Sequence, residues 1–315
     1  MKRRQFIGAL AGSAAALAGK SSWSATGAKA LSRRPLGKTG IDLPIIGFSG
    51  IVARDNTPEA VDRVVAESLD MGIDFFDIAA SYGNSEEMLA PALRPRRKDI
   101  TLATKTRERG REAAAVEFER SCEILGTDYF DMYLVHGIQH VDRDVDAAFA
   151  KDGVMDFVLE KKRAGQIRRL GFSSHSTESA LAALDRHDFD FFYFPISYVP
   201  YLTADFGPSV LAKANEKGIP CISLKSLARQ RLPEGTQRAD RCAKCWYEPI
   251  EDREEASLAM RWALSLPGVV CVLPPGEERL YRLALEVSEG LGPIEASETA
   301  RLVAMAEDKR PLFPR

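Results

Sequence analysis

The chain predicts a single-domain α/β fold, a (β/α)8 TIM barrel, and three observations carry that prediction. Short apolar runs of the buried, parallel type alternate with amphipathic stretches eight times over the roughly 280 residues that follow the first thirty, the size and rhythm of such a barrel. Polar, ionisable residues stand at or just past the ends of three successive runs, where a barrel gathers its chemistry: Asp77, Tyr82, Lys105 and His136. The rival fold, a doubly wound open sheet, carries a G-x-G-x-x-G turn after its first strand, and no such turn follows here.

The first run is Ile45 to Phe48, with a helix from Pro58 to Asp70 behind it. Phe75 to Ile78 follows, with a short helix beginning near Ser85, then Ile100 to Thr104 with a helix through Phe118 to Leu125. Tyr129 to Val135 leads to one long helix expected from Val145 to Ala164. Arg169 to Phe172 is paired with Ser179 to Leu184, and Phe191 to Ile196 with Ser209 to Glu216. Cys221 to Leu224 precedes a long irregular insertion and then the helix Glu255 to Leu264; Val269 to Leu273 and Glu278 to Val287 form the eighth unit. A closing helix is expected near Ile294 to Glu307. The irregular stretch from Ala228 to Asp252 carries Trp246 and Tyr247, and a loop that long at a barrel mouth is expected to cover a cofactor or shape a substrate pocket.

Length alone, 315 residues, allows two small domains or one large barrel. With 45% hydrophobic and 28% charged residues there is ample material for a core. A net charge of -2 argues against a nucleic-acid partner, because the basic clusters at Arg94 to Lys98, Lys161 to Arg163 and Arg168 to Arg169 flank helices and alternate with acids.

Residues 1–30 read differently. A basic start, the pair Arg3-Arg4 ahead of Gln5-Phe6-Ile7, and a small-residue apolar stretch have the signature of a twin-arginine export signal. The stretch falls short of the ~20 apolar residues of a comfortable membrane span, and no cysteine follows it, so no stable membrane anchor is expected. Ala28-Lys29-Ala30 fits a small-x-small cleavage site after Ala30. The expectation is an exported, periplasmic protein handled by the twin-arginine machinery, with residues 31–315 forming the barrel.

Five cysteines cannot all pair internally. Cys122, Cys221 and Cys271 sit in apolar contexts and read as small packed hydrophobes. Cys242 and Cys245 stand at ligand spacing, but a metal site needs two further ligands and no second cluster lies nearby. The pair either closes a local disulfide or remains as thiols; no bound metal is expected.

GIDFFDIAASYG (72–83), Thr104-Lys105 and the His136 that ends DYFDMYLVHG together resemble the aldo-keto reductase superfamily. Its motif reads roughly G-x-x-F-D-T-A-x-x-Y-G, then T-K, then a strand-ending His. The resemblance runs from about Arg34 through GQIRRLGFSSHS to VLPPGEERL, nearly the whole chain after the leader. Some relatives carry a cysteine-rich cluster where Cys242 and Cys245 stand.

That resemblance implies reduction of a small aldehyde, ketone or sugar carbonyl by a nicotinamide cofactor, or the reverse oxidation. Tyr82 would be the general acid, Lys105 would tune it, Asp77 would orient Lys105, and His136 would position the carbonyl. The residue types suit these tasks. A free phenol with a pKa of about 10 is a poor acid at neutral pH, and a neighbouring ammonium held by a carboxylate pulls that value down.

For the cofactor, the resemblance implies Ser173 and Ser174 at the carboxamide, with Tyr193 in place of a common Gln and Ser197 in place of an Asn. Leu224 would face the ring and Lys225 the pyrophosphate. Gly276 opens a turn into a helix N-terminus, a natural anion seat. Arg279 and Arg282 would clamp a ribose 2′-phosphate, favouring NADP (NADPH) with NAD as the alternative; the competing reading pairs them with Glu278 and Glu286. Because the carboxamide positions are atypical, a second function class is an exported nicotinamide-binding sensor or partner subunit with little turnover. A barrel hydrolase would need a second carboxylate beside Asp77, and none is suitably placed.

Overall fold

The computed structural model describes residues 31–236, 242–289 and 291–313; the expected leader lies outside them. A hairpin leads in, β1 (Arg33–Pro35) pairing antiparallel with β2 (Asp42–Pro44). Parallel barrel strands follow as β3 (Phe48–Ser49), β4 (Phe75–Asp77), β5 (Thr101–Thr106), β6 (Phe130–Ile138), β7 (Ile167–Ser174), β8 (Phe191–Pro195) and β9 (Cys221–Leu224). A separate two-stranded ladder, β10 (Ala228–Gln230) with β11 (Glu248–Pro249), precedes the last barrel strand, β12 (Val269–Leu273). Order in the eight-stranded sheet equals order in the chain, so each strand lies beside its predecessor.

The sheet closes where Ile46 bridges Val272 in parallel. Gly47 N donates to Val272 O at 3.0 Å, and Val272 N donates to Ile45 O at 2.9 Å. Gly47 is required there: a Cβ would stand 2.6 Å from the Phe75 ring. The inside of the cylinder is filled by Phe75, Ala103, Met132, Leu134, Phe191, Tyr193, Ile222 and Cys271, all fully buried, with Leu36 and Leu43 of the hairpin in the same cluster. The barrel is therefore a packed core and not a channel.

Around it lie α1 (Pro58–Asp70), α2 (Ser85–Leu93), α3 (Arg111–Leu125), α4 (Val154–Arg163), α5 (Thr177–Arg186), α6 (Tyr198–Thr203), α7 (Pro208–Lys217), α8 (Arg253–Ser265), α9 (Glu278–Ser288) and α10 (Ala296–Ala306). Local chemistry sets several ends. Thr57 Oγ1, Ser176 Oγ and Asp252 Oδ1 each accept a backbone N–H of the first turn. Gly126 and Gly218 end α3 and α7 in the left-handed conformation.

Two expectations need correction. The single helix expected from Val145 to Ala164 is broken into a wide turn over Val141–Asp146, a three-residue helical turn over Ala147–Phe149, and α4. Asp152 adopts φ 60° and Gly153 lets the chain pass where a Cβ would be 2.4 Å from Ala148 O. Val145, Ala148, Val154 and Phe157 stay buried across the break, which is why the apolar rhythm reads as continuous. The loop after β8 also holds α6, where Pro200 and the aromatic pair Tyr198 and Tyr201 hide the helical pattern.

Candidate active site

Side chains alternate along a strand, so a residue two positions past an interior one also points inward. Phe75 precedes Asp77 on β4, Ala103 precedes Lys105 on β5, and Leu134 precedes His136 on β6, all at the strands' C-terminal ends. Tyr82 stands in the turn between β4 and α2. Its N–H donates to Ala79 O at 3.0 Å, and its carbonyl accepts Ser85 Oγ at 2.8 Å.

These four residues meet. Lys105 Nζ donates to Asp77 Oδ2 and to Ile78 O, each at 2.7 Å. The same ammonium lies 4.7 Å from the centre of the Tyr82 ring. Tyr82 and His136 are edge-to-face with centroids 5.8 Å apart. Tyr193 adds a fifth member: its hydroxyl donates to Asp77 Oδ1 at 2.8 Å. Tyr193 stands among the expected cofactor residues, but it is fully buried inside the barrel and its phenol is committed to the carboxylate. No strand-end rule would have found that bond, because the two residues are far apart in sequence.

The charges follow from burial and pairing. Burial raises Asp77 above the usual carboxylate range, against the pull of Lys105. For Lys105 burial works downward, yet Asp77 and Tyr82 outweigh it and leave the ammonium raised. Tyr82 was expected to be lowered by Lys105. Burial is the larger effect and raises the phenol above 10.0, with Lys105 offsetting part of it. His136 is held well below 6.5, chiefly by burial and then by the charges of Lys105 and Arg107, so its ring is neutral. Its Nδ1 lies 3.3 Å from Ser81 Oγ. A hydroxyl donating there leaves the ring proton on Nε2.

The backbone at His136 is pinned from two sides. Arg109 Nη2 donates to His136 O at 2.9 Å while its Nε donates to Asp144 Oδ1 at 3.0 Å. Gly137 N donates to Ser173 Oγ at 2.8 Å. A cavity of about 350 Å³ opens here, lined by Arg107, His136, Gly137, Gln139, His175, Trp246 and Phe313. Trp246 comes from the long insertion and Phe313 from the C-terminal end, with ring centroids 5.8 Å apart. Trp246 belongs to the loop expected to shape the mouth, whereas Phe313 shows no motif in the sequence and only the convergence reveals it.

A family model described as the aldo/keto reductase family matches residues 46–280. The chain belongs to that family. Its members are oxidoreductases that generally use a nicotinamide cofactor. An aldo-keto reductase from a Mycobacterium species (strain KMS) is 32% identical over 43% of this chain and 49% of its own. The chain thus matches about half the length of that relative. An aldo/keto reductase from Synechocystis is 24% identical over 76% of this chain and 80% of its own. Among solved structures, an aldo-keto reductase from Bacillus halodurans in its holo form superposes with a TM-score of 0.68, at 22% identity, over 89% of this chain and 98% of that one. The barrel is therefore the family's fold.

The residues expected around a nicotinamide cofactor in this family lie along the β7, β9 and β12 ends. Ser174 Oγ donates to Ile138 O at 2.8 Å and Ser176 O at 2.9 Å, whereas Ser173 Oγ accepts the Gly137 N–H. Leu224 packs at the edge of the barrel core. Lys225 adopts φ 63°, and burial lowers its ammonium to about 8. That ammonium rests 5.1 Å and 5.8 Å from the Tyr247 and Trp246 rings and has no hydrogen-bond acceptor among the described residues. Gly276 fits against Ile51, where a Cβ would lie 2.3 Å from Ile51 Cγ2. The N-cap of α9, Glu277, makes no side-chain cap bond; its carboxylate accepts Lys244 N at 2.7 Å instead. Arg279 pairs with Glu251 on the surface, and Arg282 with Glu278 and Glu67. Glu278 is thus a partner of Arg282, as the competing expectation had it, while Glu286 pairs with Arg253.

The long insertion is not wholly irregular. β10 and β11 tie its ends together, and Cys242 and Cys245 form a disulfide between them. Lys244 Nζ donates to Val52 O at 3.0 Å, so the segment straps the loop after β3 to the start of α9.

Proposed function

We propose that this chain is an NADP(H)-dependent oxidoreductase that reduces an aldehyde or ketone, or oxidises the matching alcohol, with Tyr82 as general acid. The observation that carries the reading is the convergence of Tyr82, Lys105, Asp77 and His136 at one mouth of the barrel.

The residues present fit a dinucleotide. Lys225 is a half-buried cation with no hydrogen-bond acceptor among the described residues, and the start of α9, without a side-chain cap, leaves first-turn N–H groups available. Lys225 would meet the pyrophosphate, and Arg279, by exchanging an exposed carboxylate partner, would meet a 2′-phosphate. When bound, the cofactor supplies the hydride for the carbonyl carbon.

The remaining work falls to the protein. The raised phenol of Tyr82 stays protonated at neutral pH, so it is in the donor form that reduction needs. As charge develops on the carbonyl oxygen, Tyr82 gives up its proton and the Lys105 ammonium stabilises the phenolate left behind. Asp77, held by Tyr193, keeps that ammonium charged and in place. The neutral N–H of His136 donates to the same carbonyl oxygen and fixes its direction.

Titration of the purified protein with NADPH, followed by a panel of aldehydes and ketones monitored by loss of reduced-nicotinamide absorbance, tests the reading. NADPH binding with carbonyl-dependent oxidation is expected. Binding without oxidation of any carbonyl would favour the sensor reading instead. The Arg3-Arg4 signature supports export through the twin-arginine machinery to the periplasm. Replacing both arginines by lysine is expected to retain the protein in the cytoplasm.

A further inference from the structure

We infer that the cavity at the β5–β6 end of the barrel is built for a carbonyl compound that also carries a carboxylate, with Arg107 as the residue that holds the anion. The inference rests on the reductase reading and names the substrate class of that site.

Arg107 follows β5 directly and is exposed at the cavity wall. A Cβ built on Gly137 would stand 4.0 Å from Arg107 Nε, so the guanidinium stem lies over the backbone next to His136. Every other cation near this site has a counter-charge or a separate task. Lys105 is bound to Asp77, Arg109 to Asp144, and Lys225 lies against Trp246 and Tyr247. Arg107 makes no ion pair or side-chain hydrogen bond among the described residues. Its charge reaches the site: it helps to lower both His136 and His175 and acts on Tyr82.

The guanidinium is not placed for the cofactor phosphates. In a closed ring of eight strands, β5, which Arg107 follows, lies across from β9, whose end carries Lys225, and three places from β12, whose end leads to Gly276 and α9. Arg107 therefore serves the other reactant. Beside it the exposed Gln139 and the buried, unpartnered Nε2 of His175 supply polar contacts. Trp246 and Phe313 supply apolar walls. Phe313 is itself stacked on Phe206 at 4.6 Å, a backing that keeps the wall in place. A volume of about 350 Å³ suits a small molecule with one apolar segment between its two polar ends. A planar guanidinium meets a carboxylate with two parallel hydrogen bonds, which also fixes how far the carbonyl lies from the anion. The chemistry is unchanged: the carbonyl carbon takes the hydride, its oxygen takes the Tyr82 proton, and the carboxylate leaves as it came.

The matched pair 4-carboxybenzaldehyde and its methyl ester tests this, since the ring and carbonyl are the same and only the charge differs. For the unmodified enzyme the ratio of kcat/KM, acid over ester, is expected to be at least about tenfold, carried by KM. Arg107→Ala should bring that ratio to about one, and Arg107→Lys should restore part of it. A ratio at or below one in the unmodified enzyme, or one that Arg107→Ala leaves alone, overturns the inference. Calorimetric binding of benzene-1,4-dicarboxylate provides a readout without turnover, and Arg107→Ala should weaken it by about tenfold. Binding that depends on Arg107 with no carbonyl reduced would sink the reductase reading and keep the anion site. Reduction that ignores charge would do the reverse.

Discussion

Lys105 Nζ and Asp77 Oδ2 form an ion pair of 2.7 Å with only 1% and 4% of their side-chain surfaces exposed. Two charges so far from water are stable only together, and removing one strands the other. Asp77→Asn is therefore expected to destabilise the fold by about 3–5 kcal/mol and to suppress turnover as well. Urea unfolding measures the first effect. A loss below about 1 kcal/mol would mean that water or another group replaces the carboxylate.

Tyr82→Phe keeps the ring against Lys105 and His136 and removes only the hydroxyl. Turnover should fall by about 10²–10⁴-fold, the usual worth of a positioned acid, while NADPH affinity stays within a few-fold of the original. Single-turnover rates beside a binding isotherm separate the two. Turnover close to that of the unmodified enzyme would remove Tyr82 from its role.

The directions of the two pKa displacements set a pH profile. Tyr82 is raised above 10.0, so it keeps its proton, and reduction stays available, until pH rises beyond that value. His136 is held well below 6.5, so it does not gain a charge as pH falls through 6.5. The kcat/KM for reduction should thus be flat between these limits, with loss on the alkaline side above 10.0. A break near neutral pH would show that one of the two groups titrates in a wetter setting.

Tyr193→Phe deletes one hydrogen bond to a buried carboxylate and leaves the packing intact. A cost of about 1.5–3 kcal/mol is expected in chemical unfolding. If Tyr193 acts by steadying Asp77, kcat should fall with KM for NADPH little moved. A change confined to NADPH affinity would instead return Tyr193 to the cofactor surface suggested by its place in the sequence.

Arg279 and Glu251 form an exposed pair that a 2′-phosphate would have to displace. Arg279→Ala should weaken NADPH by about tenfold and leave NADH nearly untouched, because the two cofactors differ only at that phosphate. Glu251→Gln should have the opposite sign and tighten NADPH. Equal effects on both cofactors would show that Arg279 does not read the phosphate.

Much of the architecture was legible because a buried parallel strand leaves a plain trace. Cys221–Leu224 and Val269–Leu273 lie where their apolar runs stand, and α1 spans its amphipathic stretch. The helix over Val145 to Ala164 was misread because burial continues through a backbone break that only Asp152 and Gly153 mark. The same limit hid Arg107 and left Tyr193 with a cofactor role in place of its bond to Asp77, because both depend on what lies across the barrel from them.

Order along the chain determined the barrel and the strand ends that carry Asp77, Lys105 and His136, because period and hydrophobicity are local properties. Closure of the ring decided the rest: that Tyr193 completes the buried pair, that burial overrides Lys105 at the Tyr82 phenol, and that Arg107, Trp246 and Phe313 face one cavity. Those outcomes depend on distance and desolvation between segments remote in sequence, and neither quantity exists until the cylinder has formed.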